Sequence, residues 1–173
     1  MAQVSPLPAA CGRRRALRAQ AGLAAAGLAS CGFHLRQPLA LPFRSLPLTG
    51  FAPRSPLEAE LRRTLAETVE IKAVPAEAEV VLHALTDRRE RSVAASTAAG
   101  QVREIELRLH VVVRADTPGG RVLMPPVELR LTRDLSYTET AALAKAQEEA
   151  ALFRDMQSDV VAQLQRRLAA LQP

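Results

Sequence analysis

Between Glu104 and Arg114 the chain alternates well, with Val112 the one apolar residue on the charged register. Ile105, Leu107, Leu109, Val111 and Val113 fall on every second position, with Glu104, Glu106, Arg108, His110 and Arg114 among the positions between them. Side chains of a strand point to opposite faces in turn, so this segment has one apolar and one charged face. That is a half-buried strand of an antiparallel sheet. A sheet with one apolar face needs a second layer to cover it, and the rest of the chain supplies one.

"SPLEAELRRTLAETV" predicts a helix from Pro56 to about Thr68. Ser55 and Glu58 form a capping-box pattern, Pro56 takes the favoured first helical position, and Leu57, Leu61, Leu65 and Val69 repeat every four residues. Pro75 prevents its continuation. From about Glu139 to Leu171 a second helix is predicted, without Gly or Pro. Leu143, Ala150, Phe153, Val160, Leu164, Leu168 and Leu171 form its stripe. At 1.5 Å per residue it spans roughly 45–50 Å, longer than a small sheet needs.

Three further strands complete the order. A short one around Leu41–Leu48 is rich in proline, which suggests an edge. Residues 79–87 form another and continue through "RRERSVAAS". "DTPGG" is turn chemistry, after which Val127, Leu129 and Leu131 alternate with Glu128, Arg130 and Thr132. Pro125-Pro126 breaks the ladder there, as a bulge or an edge does. The expected fold is α+β, with two α-helices packed on one face of a four-stranded, mainly antiparallel sheet. The other face, with its Glu, Arg and Thr, meets water or a partner.

The N-terminus belongs to a different logic. Arg13, Arg14, Arg15 and Arg18 precede an apolar run from Ala19 to Ser30. The run is short of the ~20 residues that cross a bilayer. A basic start, a short apolar region and small residues before a cut site describe a secretory signal peptide. Leu28-Ala29-Ser30-Cys31 resembles the lipobox of bacterial lipoproteins. That resemblance implies cleavage between Ser30 and Cys31, a diacylglycerol on the Cys31 sulfur and an acyl chain such as palmitate on its new amino group. Gly32 rather than Asp after the cysteine implies transfer to the outer membrane. Residues 1–30 are then a cleaved signal peptide and residues 31–173 a single domain lipidated at Cys31.

Cleavage rewrites the charge. The chain carries 23 Lys and Arg against 18 Asp and Glu, net +5. Removing the four leader arginines leaves 19 against 18, net +1. A nucleic-acid role argued from the high pI therefore loses its basis. One cysteine remains and it is the anchor, so no disulfide forms within the mature monomer.

Nothing in the sequence composes a catalytic site. His34, His83 and His110 lack metal-ligand spacing, and no phosphate loop or nucleophile elbow occurs. Glu148 and Glu149 are adjacent on a helix and point about 100° apart, so they are no acid–base pair. The expectation is a protein without enzymatic activity, metal or dissociable cofactor.

"CGFHLR" at the lipobox, the "LPF" strand, the short helix, three strands and the long helix together resemble the LPS-assembly lipoprotein family LptE. "AAGQVREIELRLHVVV" is similar to the family's Gly followed by an alternating strand, and "ALAKAQEE" to the start of its last helix. The resemblance implies an outer-membrane lipoprotein on the periplasmic side. Such a protein plugs the lumen of the β-barrel LptD, supports its assembly and binds lipopolysaccharide for delivery to the outer leaflet. It implies a phosphate-binding role for Lys145. The family's second basic position falls on Ala98-Ala99 here, so that phosphate contact comes from Arg91 or Arg103 or is absent. The alternative is a lipoprotein adaptor of another envelope machine with no lipid ligand.

Overall fold

A computed structural model describes residues 39–173. The leader, the Ser30/Cys31 junction and His34 lie outside the described residues. Six strands and two α-helices follow in the order β1 (Ser45–Leu46), β2 (Leu48–Thr49), α1 (Pro56–Leu65), β3 (Glu70–Ile71), β4 (Val81–Ser96), β5 (Val102–Asp116), β6 (Val122–Ser136) and α2 (Ala142–Ala169). The main sheet has the order β2-β4-β5-β6. Its β4–β5 and β5–β6 pairs are antiparallel and its β2–β4 pair is parallel. Both helices cover one face, and this is the expected α+β fold.

The β5 stripe forms the floor of the core. Ile105, Leu107, Leu109, Val111 and Val113 are all fully buried. Phe153, Met156, Val160, Leu164 and Leu168 of α2 close over them together with Leu57, Leu61 and Leu65 of α1. Pro125 and Pro126 sit where β6 takes three steps, from Met124 to Val127, against two on β5, from Ala115 to Val113. The pair is therefore a bulge, on an edge strand.

Several local expectations are corrected. The proline-rich strand is two short pieces divided by Pro47. β1 leaves the main sheet to pair in parallel with β3, which the sequence reading lacked. Two residues are too few to show a period. Helix α1 stops at Leu65 rather than Thr68, because Glu70 must donate to Arg44 O at 2.8 Å to start β3. Only half of the capping box forms. Ser55 Oγ accepts from Glu58 N at 3.2 Å, but the Glu58 carboxylate turns to Arg62 at 2.8 Å, and Ser55 N donates to Ala52 O.

The stripe of α2 begins later than expected. The helix starts at Ala142 after a 3₁₀ turn at Glu139–Ala141, and Leu143 is 78% exposed. Ala150 is exposed as well. The first turns of α2 run past the apolar core and lie over polar residues of the sheet.

Gly50 fixes the approach of the edge strand. Its φ is +76°, and a Cβ there would stand 2.3 Å from Ala84 O. Gly100 has φ +78° but open space around it. Gly100→Ala should cost only the left-handed backbone penalty of about 1–2 kcal/mol. Gly50→Ala should cost clearly more, because β2 must also move away from β4. Urea melts of the two variants measure the difference, and equal losses would mean that the close approach is absent in solution.

Candidate ligand site at the hairpin end of the sheet

A register shift in β4 decides what lies under the start of α2. Ala84 pairs with Val113, but Thr86 pairs with Val112, so the side-chain alternation slips at Leu85. Leu85 is left half exposed, and Asp87, Arg89 and Arg91 then stand opposite Val111, Leu109 and Leu107. Three charged residues thereby enter the helix-bearing face of the sheet.

The two arginines find different settings. The Arg89 guanidinium lies over the Phe153 ring, 5.3 Å from its centroid. Burial pushes it below its ordinary pKa, against the opposing pull of Asp87 and Glu60. Arg91 Nε donates to Glu149 Oε2 at 3.1 Å, and its guanidinium is 5.9 Å from the centroid of the Tyr137 ring. Tyr137 N in turn donates to Arg103 O at 2.8 Å. Lys145 Nζ donates to Glu148 Oε2 at 2.8 Å and to Ser136 Oγ at 3.1 Å.

Arg91 and Lys145, from a strand and a helix, are thereby held by the adjacent Glu149 and Glu148 near Tyr137, while Arg103 joins them through its backbone carbonyl, its side chain being exposed. Those two glutamates are not an idle solvated face, since each holds one of the cations. Both ion pairs reach the surface. Such pairs are worth about 0–1 kcal/mol, so a phosphate can take the cations at little cost. The helix start adds to the field. Ala141 provides no side-chain cap and the Ala142 amide already donates to Glu139 O in the preceding 3₁₀ turn, so the helix start contributes through its dipole.

Glu149 also joins this cluster to a groove of about 480 Å³. The groove is lined by Arg89, Ala146, Ala150, Phe153 and Arg154, among others. A groove that is half apolar and edged by guanidinium groups suits an amphiphile with a charged head. The sequence reading missed Arg89 and this groove. The available signal was the charged alternation of Asp87, Arg89 and Arg91 directly after an apolar strand start.

His83 and His110 stand apart from this site. His110 Nε2 is 2.6 Å from Glu128 Oε1 on the opposite face of the sheet. Hydrogen bonds from Arg130 and then from His110 hold the Glu128 carboxyl below its ordinary pKa. His83 Nδ1 is 2.8 Å from Thr49 Oγ1, and its Nε2 is 3.4 Å from Asp116 Oδ2. That order mimics a hydrolytic triad. However, Thr49 Oγ1 also donates to Leu82 O at 3.2 Å, and Asp116 is held by Arg114 at 3.0 Å. The group ties the edge strand β2 to β4. Among the described residues no cluster of metal-binding side chains occurs, and no helix is long and apolar enough to cross a membrane.

This architecture is that of a set of small bacterial lipoproteins. The chain is 32% identical to uncharacterized lipoprotein B from Nitrosomonas europaea, over 80% of this chain and 91% of that one, with a TM-score of 0.68. It is 26% identical to the rare lipoprotein B from Shewanella oneidensis, over 73% and 95%, with a TM-score of 0.60. A minor lipoprotein from Acinetobacter baumannii, 24% identical over 77% and 99%, shares the fold with a TM-score of 0.60. No curated protein matches the chain. Residues 43–168 match the family described as LptE: Lipopolysaccharide-assembly. The chain belongs to that family.

Proposed function

We propose that this protein is a lipoprotein of the outer membrane, anchored through acylated Cys31, that seats inside an LptD-type barrel, supports its assembly and binds lipopolysaccharide for delivery to the outer leaflet. One observation carries the ligand reading: Arg91 and Lys145, far apart in sequence, are held by the adjacent Glu149 and Glu148 at one end of the sheet beside a half-apolar groove, where the Arg103 backbone also pairs with Tyr137. Lipid A presents phosphates next to acyl chains. The cations take the phosphates by charge-assisted hydrogen bonds. The groove offers Phe153 and two alanines to the adjoining chains.

Family membership and the polar outer face of the sheet support the barrel reading, since a barrel lumen is itself polar. The role calls for binding and placement, and no residue is assigned a catalytic task.

Lys145→Glu tests the ligand reading. It reverses a charge at the helix start and sets a carboxylate beside Glu148. Lipopolysaccharide capture should fall, and the wild-type capture should itself weaken with salt. The thermal midpoint should hold, because Lys145 contributes only surface contacts. Barrel co-purification should persist, because a stable interface spreads over at least ~1,000 Å². Unchanged capture at matched salt would make Lys145 an ordinary helix lysine. A wild-type protein that co-purifies with no barrel would favour the adaptor of another envelope machine.

A further inference from the structure

The sheet face away from the helices carries its charges in two bands. In one row Arg88 of β4, His110 of β5 and Arg130 of β6 are direct cross-strand neighbours. In another, Ser92, Glu106 and Asp134 are neighbours, and Glu104 follows one step beyond. Between them lies the row of Glu90, Arg108 and Thr132. Toward the Thr97–Gly100 turn the face therefore presents Glu90, Glu104, Glu106 and Asp134 against the single guanidinium of Arg108. Toward the Thr117–Gly120 turn it presents Arg88, His110 and Arg130 against Glu128.

Like charges directly opposite one another on a sheet destabilise it. Internal pairing relieves this only in part. Glu106 pairs with Arg108, and Glu128 with Arg130 and His110. Among the described residues Arg88, Glu90, Glu104 and Asp134 form no ion pair. The unpaired carboxylates gather at one end of the face, and the unpaired Arg88 lies at the other side of the Glu90 row. A randomly mixed solvated face would have no such polarity.

We infer that this face docks on the inner wall of the barrel, along a strip of opposite polarity, basic opposite Glu104 and Asp134 and acidic opposite Arg88 and Arg130. The inference rests on the barrel reading above and adds which face docks and in which direction. Charge matching of this kind fixes register and rejects the reversed orientation more than it adds affinity.

The test is co-purification of the LptD-type barrel with the tagged full-length lipoprotein, coexpressed. The variants are Glu104→Lys with Asp134→Lys, and Arg88→Glu with Arg130→Glu. Each double reversal should lower barrel recovery about tenfold or more, since like-charge juxtaposition at an interface costs several kcal/mol. The neutral pair Glu104→Gln with Asp134→Asn should lose less. Thermal midpoints should match the wild type, which separates docking from folding, and lipopolysaccharide capture should match it for Arg88→Glu with Arg130→Glu, whose positions lie away from the ligand end of the sheet. If wild type recovers the barrel and both reversals recover it equally, the docking face is another one and the barrel reading stands. If wild type recovers no barrel, the reading and this inference fall together.

Discussion

Replacing Leu107 by alanine should cost about 2–5 kcal/mol, the range for removing a large aliphatic side chain from a close-packed core. Leu107 is fully buried in the middle of β5. Its cross-strand neighbours on either side are Arg91 and Arg133, not apolar residues. Little nearby can relax into the space except α2, whose Phe153 and Met156 are themselves held in the core. Arg108, the next residue, is half exposed on the other face and pairs with Glu106. Arg108→Ala should stay within about 0.5 kcal/mol, as surface changes do. Urea melts of the two variants, with m-values compared, provide the measurement. Equal losses would show that the faces of the strand are reversed or its register is shifted.

The second large effect concerns the anchor. Cys31→Ala should abolish acylation and leave an unprocessed precursor. Each buried CH₂ contributes about 0.8 kcal/mol, and one acyl chain alone gives only marginal, reversible binding. On the lipoprotein reading proposed above, three acyl chains hold the wild type firmly, and the variant has none of them. Labelled palmitate followed by membrane fractionation reads both consequences. Palmitate incorporated into the variant would refute the lipobox assignment. The domain from residue 32 onward should fold without lipid, because its core is complete within residues 43–171.

How much of this was legible beforehand depended on the length scale of each signal. The β5 stripe was readable because burial on one face of a strand imposes a two-residue period over five cycles. Helix α1 was readable from its cap and four-residue repeat, although not to its last turn. Where a segment serves two environments, periodicity misleads. Leu143 and Ala150 continue the α2 stripe on paper, yet they lie beyond the core, over polar residues of the sheet. Short strands such as β1 and β3 carry no period at all, and only pairing with a distant segment makes them strands.

The candidate site divides in the same way. Lys145, Arg91 and Arg103 could be nominated from the sequence through resemblance, but the capture of Arg91 and Lys145 by the adjacent Glu149 and Glu148 required the fold. Arg89 could not be placed at all without the one-residue slip at Leu85, which reverses the faces of β4 as far as the next shift after Val93.

The sequence by itself therefore determined the class of fold, the core stripe of β5, the two amphipathic helices and the charged character of the outer face. These follow from local period, capping and turn chemistry, which act over a few residues. Tertiary structure alone decided the split of the proline-rich strand, the entry of Asp87, Arg89 and Arg91 onto the helix face, and the sorting of outer-face charges into bands. Each of these depends on register between strands, and register is set by long-range pairing and bulges rather than by the composition of any one segment.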